Sequence, residues 1–379
     1  MPANRAALAT RAVQAASATS AARGARATAR VAALCALLAT TGCSWFGPHL
    51  LRADQVDYER ALGDAKKREM LATIVGLRYG DSPSFVAVSQ IIASYTFSAS
   101  AGVTGEVGSG AAYPDYGQAN GNVSWSNHPT FTFVPTTGEA LAAGYIRPLP
   151  PELVLPLAQS GVPVDLLLRL SVQSIGTLQN AAPLGGPVGD GSPGFFELLQ
   201  ALRRLQLAGE LTVRYQEANH AGHISLTLGA TSNEAPTTTN RDIARVRALL
   251  RLSPKVNEYE IVYGSRTADG TRIAMVTRSV MGILSNLGAQ VDVPAADVQR
   301  GATTPTVRLV GGETRPTVVV HVGTPPKDAY AVVTYRGKSW WIDNNDFDSK
   351  YALTVLQNLI ALAQANQDQK APILTVPAG

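Results

Sequence analysis

The apolar run Val31–Cys43, VAALCALLATTGC, holds both cysteines of the chain, Cys35 and Cys43. Arg5, Arg11, Arg23, Arg26 and Arg30 precede it, and no Lys, Asp or Glu occurs before Cys43. About a dozen apolar residues are too few to cross a bilayer as a helix. A basic stretch, an apolar core and small residues before a cut describe a secretory signal. Cys35 leaves with such a leader, and Cys43 becomes the first residue of what remains. The mature chain then has no disulfide available and must be held by a hydrophobic core alone. Cys-based zinc sites are excluded on count.

The leader resembles bacterial lipoprotein signal peptides, with Leu37 and Leu38 in the apolar core and Gly42 before the cut. Thr40 departs from the commoner Leu at its position. The resemblance implies diacylation of Cys43 and a partner in the membrane itself, since multiple acyl chains anchor stably. Ser44 after the cysteine implies the outer membrane, with the domain facing the periplasm. An ordinary cleaved signal is the plainer alternative.

Removing residues 1–42 leaves 337, with 27 basic against 28 acidic side chains, a net charge of −1. The dense basic surface that a nucleic-acid partner needs is missing. Hydrophobic residues at 45% and charged residues at 16% fit a folded chain long enough for one large or two modest domains.

The periodicity predicts a helix from Asp54 to Arg78, stopped by Gly80, Asp81 and Pro83. Ser84–Ser100 alternates apolar and small polar residues as a strand does. Gly102–Gly121 is a Gly-rich loop or ribbon, and Asn122–Val134 returns as a strand, so the segment is expected to be a meander or long hairpin. Thr136 and Glu139 have capping-box spacing. Val164–Leu178 is expected to be a buried helix and Phe195–Ala208 an amphipathic one. Leu211–Tyr215 with His223–Leu228, and Tyr259–Tyr263 with Arg272–Val276, are expected as two hairpins, the second turning at Asp269-Gly270. Residues 230–240 are the expected linker between a first lobe, 54–229, and a second, 241–379; residues 43–53 read as a membrane tether. Arg241–Leu252 and Ser279–Leu287 are expected as helices. Val307–Val322, Tyr330–Tyr335 and Ser339–Ile342 are expected as strands, and Asp348–Ala365 as the last helix. Strands grouped in hairpins between helices predict an α+β fold.

Several stretches, among them Leu77–Phe85 (LRYGDSPSF), Pro129–Glu139 (PTFTFVPTTGE), Thr277–Leu284 (TRSVMGIL) and Tyr335–Leu362, resemble a group of uncharacterised predicted lipoproteins of Gram-negative bacteria. The resemblance spreads over nearly the whole mature chain. It implies compartment and a single-family fold, and it carries no catalytic residue.

Candidate chemistry is sparse. His220 and His223 with Glu217 lie within a tight turn, and a polar surface turn explains them better than a metal site. Asp343–Asp348, DNNDFD, fails the calcium-loop pattern at the glycine and glutamate positions; Asp346 or Asp348 capping the last helix explains it better. No Gly-x-Ser-x-Gly, Ser-x-x-Lys or phosphate-binding glycine motif occurs. No cofactor is expected. Tyr113, Tyr116, Trp125 and Trp341 are the candidate interaction residues, because aromatic platforms bind glycans and partner proteins. The expected role is binding or assembly in the envelope, with an envelope protein or a glycan as partner. A periplasmic hydrolase on glycan or peptide is the alternative.

Overall fold

The computed structural model describes residues 56–83, 85–92, 95–106, 116–127, 130–182, 189–218, 221–229, 237–264, 270–309 and 315–365. Cys43, the leader and the tether lie outside them. The chain divides into two compact units between Lys67 and Arg68, and apart from the first residues of the first helix all that follows concerns the second, Arg68–Gly379. The fold is α+β.

Helix α1 spans 56–78. In its second half Leu71, Ile74 and Val75 are fully buried, and Gly80, with φ +78°, ends the turn that follows. Next come strands β1 (Val86–Ile92), β2 (Tyr95–Glu106), β3 (Tyr116–Asn127) and β4 (Thr130–Pro135). β1 pairs antiparallel with β4, and β2 with β3, so the expected long hairpin forms. Ile92 lies opposite Thr130 and Tyr95 opposite Asn127, so one register continues past residues 93–94 and 128–129.

Helix α2 (Gly138–Leu141) passes into a π-turn at Ala142–Ile146. The expected capping box is absent: Thr137 is the N-cap without a side-chain bond, and Glu139 pairs with Arg147 at 2.7 Å. Helices α3 (Pro151–Val154) and α4 (Pro156–Gln159) each begin on a proline, whose missing N–H is no loss there. The single helix expected over Val164–Leu178 is corrected. Helix α5 (Val164–Ser171) stops, and the chain turns extended as β5 (Val172–Ile175), then β6 (Leu178–Gln179). β-Branched Val172 and Ile175 pair with a distant strand instead, and the Ser171 carbonyl is taken by the Arg278 amide at 2.7 Å.

Helix α6 (Pro193–Leu207) buries Phe196, Leu199, Leu202 and Leu205 as its spacing predicts. Strands β7 (Leu211–Ala218) and β8 (Ala221–Leu228) form the first expected hairpin. Helix α7 (Thr237–Leu250) begins inside the segment read as a linker. Strands β9 (Glu258–Tyr263) and β10 (Arg272–Thr277) correct the second expected hairpin, for they pair in parallel, Ile261 opposite Ile273. Just before β10, Gly270 has φ +66° and its carbonyl accepts from the Ser253 amide at 2.8 Å. β9 gives its other edge to β8 and β10 gives its other edge to β5, both antiparallel. One six-stranded sheet results, in the order β6-β5-β10-β9-β8-β7. Strands from both sides of 230–240 share it.

Helix α8 (Val280–Ala289) is capped by Ser279, whose hydroxyl accepts from the Gly282 amide at 3.1 Å. Helix α9 (Ala295–Gln299) follows. Of the strand expected over Val307–Val322, among the described residues only β11 (His321–Val322) forms. Val307, Leu309, Val318 and Val320 are buried without a ladder. Side chains and a helix end satisfy that backbone instead: Thr317 N donates to Gln290 Oε1 at 2.9 Å, Val319 N to Ser349 Oγ at 2.9 Å, and Val307 N to the Ala289 carbonyl at 2.9 Å. β12 (Ala331–Tyr335) and β13 (Lys338–Ile342) complete a sheet ordered β11-β13-β12. Arg336 (φ +49°) and Gly337 (φ +72°) make their two-residue turn, as a hairpin turn with both central residues left-handed requires. Helix α10 (Phe347–Ala365) buries Ala352, Val355, Leu356, Leu359 and Ala363.

Two arginines are buried among carbonyls. Arg278 donates to the carbonyls of Arg169 at 3.1 Å, Leu170 at 3.3 Å and Ala181. Burial pushes its pKa well below the ordinary arginine value. Arg78 donates to the Val291 and Thr304 carbonyls, both at 2.9 Å, and to Thr303 Oγ1 at 2.6 Å. The guanidinium fork satisfies several buried backbone acceptors at once, which a lysine cannot do.

Candidate functional site

The six-stranded sheet has an apolar face and a polar one. Val213, Ile224, Leu226, Tyr259, Ile261, Ile273 and Met275 are buried. Leu155, Val164, Leu168, Leu198, Leu202 and Leu250 from the helices line the same apolar space. The alternate residues of β7 to β10 form the other face, since side chains in a strand alternate. Arg214, Gln216, His223, Glu258, Glu260 and Arg272 are exposed there.

This face carries an open groove of about 570 Å³, lined by Gln216, His223, Ile224, Ser225, Glu258, Glu260, Thr271 and Arg272. The register brings its members together: Gln216 opposite His223, Ser225 opposite Glu260, and Glu260 opposite Arg272. Ser225 Oγ donates to Glu258 Oε1 at 2.6 Å, and Arg214 lies 3.8 Å from Glu258 Oε2. His223 Nδ1 lies 3.5 Å from Glu260 Oε1.

A serine, a histidine and two carboxylates thus share one groove, but each of the first two engages a different glutamate. A nucleophile needs its base within hydrogen-bond reach, and Ser225 is held by Glu258 rather than by His223. The groove can hold a polar ligand by hydrogen bonds and mixed charge; it presents no activated nucleophile. No group of three or more His, Cys, Asp or Glu able to hold a metal occurs among the described residues.

Of the residues named from sequence, His223 reaches the groove, His220 lies outside the described residues, and only the backbone of Glu217 is described, in β7. Tyr113 lies outside the described residues. Tyr116 and Trp125 are placed by their backbone in β3, Trp125 opposite Phe97 and Tyr116 opposite Glu106. Trp340 is core at 1% exposed, and Trp341, on the opposite face, stacks on His321 at 4.4 Å and 22°. Trp341 Nε1 is buried without a hydrogen-bond partner.

The acidic run is structural. Asp346 Oδ1 accepts from the Ser349 amide at 3.2 Å, its Oδ2 from Ser349 Oγ at 2.5 Å, and Arg315 lies 2.5 Å away. Burial pushes the Asp346 carboxyl up, but Ser349 and Arg315 outweigh it and hold it below the ordinary carboxylate range. Asp346 is therefore the cap of α10.

A second polar cluster lies where the end of α1 meets the β12–β13 turn. Tyr79 donates to Asp297 Oδ2 at 2.7 Å, and Tyr335 donates to Asp81. The Arg336 guanidinium sits 4.8 Å from the Tyr79 ring centre. The Tyr79 hydroxyl first, then Lys338 and Arg300, hold Asp297 below the ordinary carboxylate range. Each polar group here is matched by another, so the cluster is a joint of the fold.

Sequence reasoning missed Ser225, Glu258, Glu260 and Arg272. Their signal was the period-two spacing of polar residues within strands already recognised, which marks a wet face without saying which strands lie side by side. Comparison with known protein families, with curated proteins and with solved structures finds no match for this chain.

Proposed function

We propose that this protein is a lipoprotein of the cell envelope, anchored through Cys43, that acts by binding as an assembly component. The supporting observation is the β2–β3 ribbon. Its twelve residue pairs join no third strand among the described residues. Ser98, Ser100, Asn120, Asn122 and Ser124 on it are exposed. A two-stranded ribbon is marginal by itself in water, and a free strand edge is a template for another chain. The apolar core and the buried arginines hold the rest of the unit without it. Deleting residues 101–121 should leave the thermal transition in place and abolish crosslinking to envelope partners. Unchanged crosslinking would remove the ribbon as the contact. The anchor is tested by the intact mass of protein from membranes: residues 43–379 plus acyl chains, lost in Cys43→Ala.

A second reading, a glycan or polar-ligand module, is favoured by the sheet-face groove. It predicts that His223→Ala or Glu260→Gln abolishes ligand binding while Ser225→Ala, whose hydroxyl is held by Glu258, leaves no hydrolytic activity to lose.

A further inference from the structure

The ribbon has two different faces. Because a strand alternates, the register sets the pairs Phe97–Trp125, Ala99–Val123, Ala101–Gly121 and Val103–Ala119 on one face. It sets Thr96–Ser126, Ser98–Ser124, Ser100–Asn122, Gly102–Asn120 and Thr104–Gln118 on the other. The first face is apolar at every one of those rungs. The second is polar or glycine at every one, and uncharged. The alternation continues beyond the ribbon, where Ile91 lies opposite Phe131 and Val88 opposite Phe133 on the apolar face. A single β-bulge at Val88/Gln90 keeps those rungs on that face. No Asp, Glu, Lys or Arg occurs in 86–105 or in 116–135.

Both faces are open at mid-ribbon. Gly102 and Gly121 are exposed, and a β-carbon on either would meet nothing within 4 Å. Ordinary surface hairpins carry charges on their wet face and along their edges, whereas the strands of this one carry a single charge, Glu106 at the far end of β2.

The geometry points to the bilayer as what covers the apolar face, and to copies of this same hairpin as what pairs the edges. Three features carry this. First, length: a membrane-spanning strand needs about 9–11 residues at a tilt near 45°, and β2 and β3 have 12 each. Second, the positions of aromatics: Tyr95, Phe97 and Trp125 mark one end of the apolar face, while Tyr116, opposite Glu106, ends the polar one. The apolar-face positions of β2 run from Tyr95 to Gly105, and at about 3.4 Å per residue and a tilt near 45° that rise is roughly 24 Å, close to the height of the apolar band in outer-membrane barrels. Third, the edges: in hydrocarbon every backbone N–H and C=O needs a partner, so strands cross membranes only in closed barrels. Two strands cannot close. Each chain supplies an even pair that hydrogen-bonds to no third strand among the described residues, and repetition by rotation closes the ring. The Ser, Thr, Asn and Gln face then lines a water-filled interior.

This rests on the envelope-lipoprotein reading above and adds to it a transmembrane segment of stated residues. It is tested on the full-length, lipidated chain in phosphatidylethanolamine–phosphatidylglycerol vesicles. Single cysteines at Ala99→Cys, Val123→Cys, Ser100→Cys and Asn122→Cys carry an environment-sensitive fluorophore, and circular dichroism of each variant checks that the α+β unit is folded. Quenching by bromine-labelled acyl chains at 99 and 123, with quenching by aqueous iodide at 100 and 122, is the expected result. Multimers of the wild-type chain in native mass measurement and release of a small trapped dye are expected with it. Iodide quenching at all four sites, or a monomer with no dye release, would overturn the inference. If that happens while the protein still partitions with membranes through Cys43, the lipoprotein reading stands and the spanning ribbon alone fails. If the chain does not partition with membranes at all, the reading beneath it fails.

Discussion

Gly288 in α8 lies against the backbone of Ile74 in α1: a β-carbon on Gly288 would come within 2.8 Å of the Ile74 carbonyl oxygen and 3.4 Å of the Arg78 amide. No side-chain movement relieves a clash with backbone. Gly288→Ala should therefore destabilise the fold by about 1–3 kcal/mol, as overpacking does. That holds even though alanine is the better helix former. Chemical denaturation measures it, and a stabilised variant would contradict this packing.

Arg278 is 5% exposed and holds the carbonyls that end α5 and follow β6. Arg278→Lys keeps the charge but loses the fork, leaving buried acceptors unpaired at about 1–3 kcal/mol each. The variant should lose at least about 2 kcal/mol, read from the denaturation midpoint. An unchanged midpoint would show that the carbonyls have other donors.

Tyr79 gives the alkaline limit. Burial first, then Asp297, pushes its hydroxyl up to about 12. Its folded pKa lies above the ordinary value near 10, so the folded state holds the proton longer. This stabilisation is complete below pH 10 and is lost as the pH rises through 12. Wild type should lose stability more steeply than Tyr79→Phe over that window. At neutral pH the variant should be weaker by about 1 kcal/mol, for the missing bond to Asp297.

Asp346 gives the acid limit, with the opposite sign. Its folded pKa lies below the ordinary value, so its stabilisation is present above pH 4 and lost as the pH falls through the folded value. Asp346→Ala removes a helix cap and a partner of Arg315, at about 1–2 kcal/mol at neutral pH. The variant's stability should also vary less with pH below 4.

The groove residues should be dispensable for folding. His223 and Glu260 are exposed and loosely paired at 3.5 Å, and surface pairs of this kind contribute little. His223→Ala and Glu260→Gln should each move stability by less than about 0.5 kcal/mol. Any lost binding in these variants then reports the groove itself.

Local pattern was enough for much of this chain. The apolar spacing of 193–207 and 347–365, Asp346 as a cap, Pro151 at a helix start and the long hairpin of 86–135 all depend on residues within a few turns or rungs of one another. So does the opposite facing of Trp340 and Trp341. Where the sequence reading failed, the competing partner was distant. Val164–Leu178 has helical spacing, but Val172–Ile175 faces an open edge of β10 about a hundred residues away, and pairing there outweighs local propensity. The run Val307–Val322 has the apolar content of a strand, but Gln290 and Ser349 take the amides of Thr317 and Val319 that a ladder would have used. Asp269-Gly270 reads locally as a hairpin turn, which would need antiparallel strands, but β9 and β10 pair in parallel, with β8 and β5 on their flanking edges. The groove exists for the same reason. Each strand's polar period is written in its own residues, whereas which strands lie side by side depends on long-range pairing and burial, and only the tertiary structure supplies those.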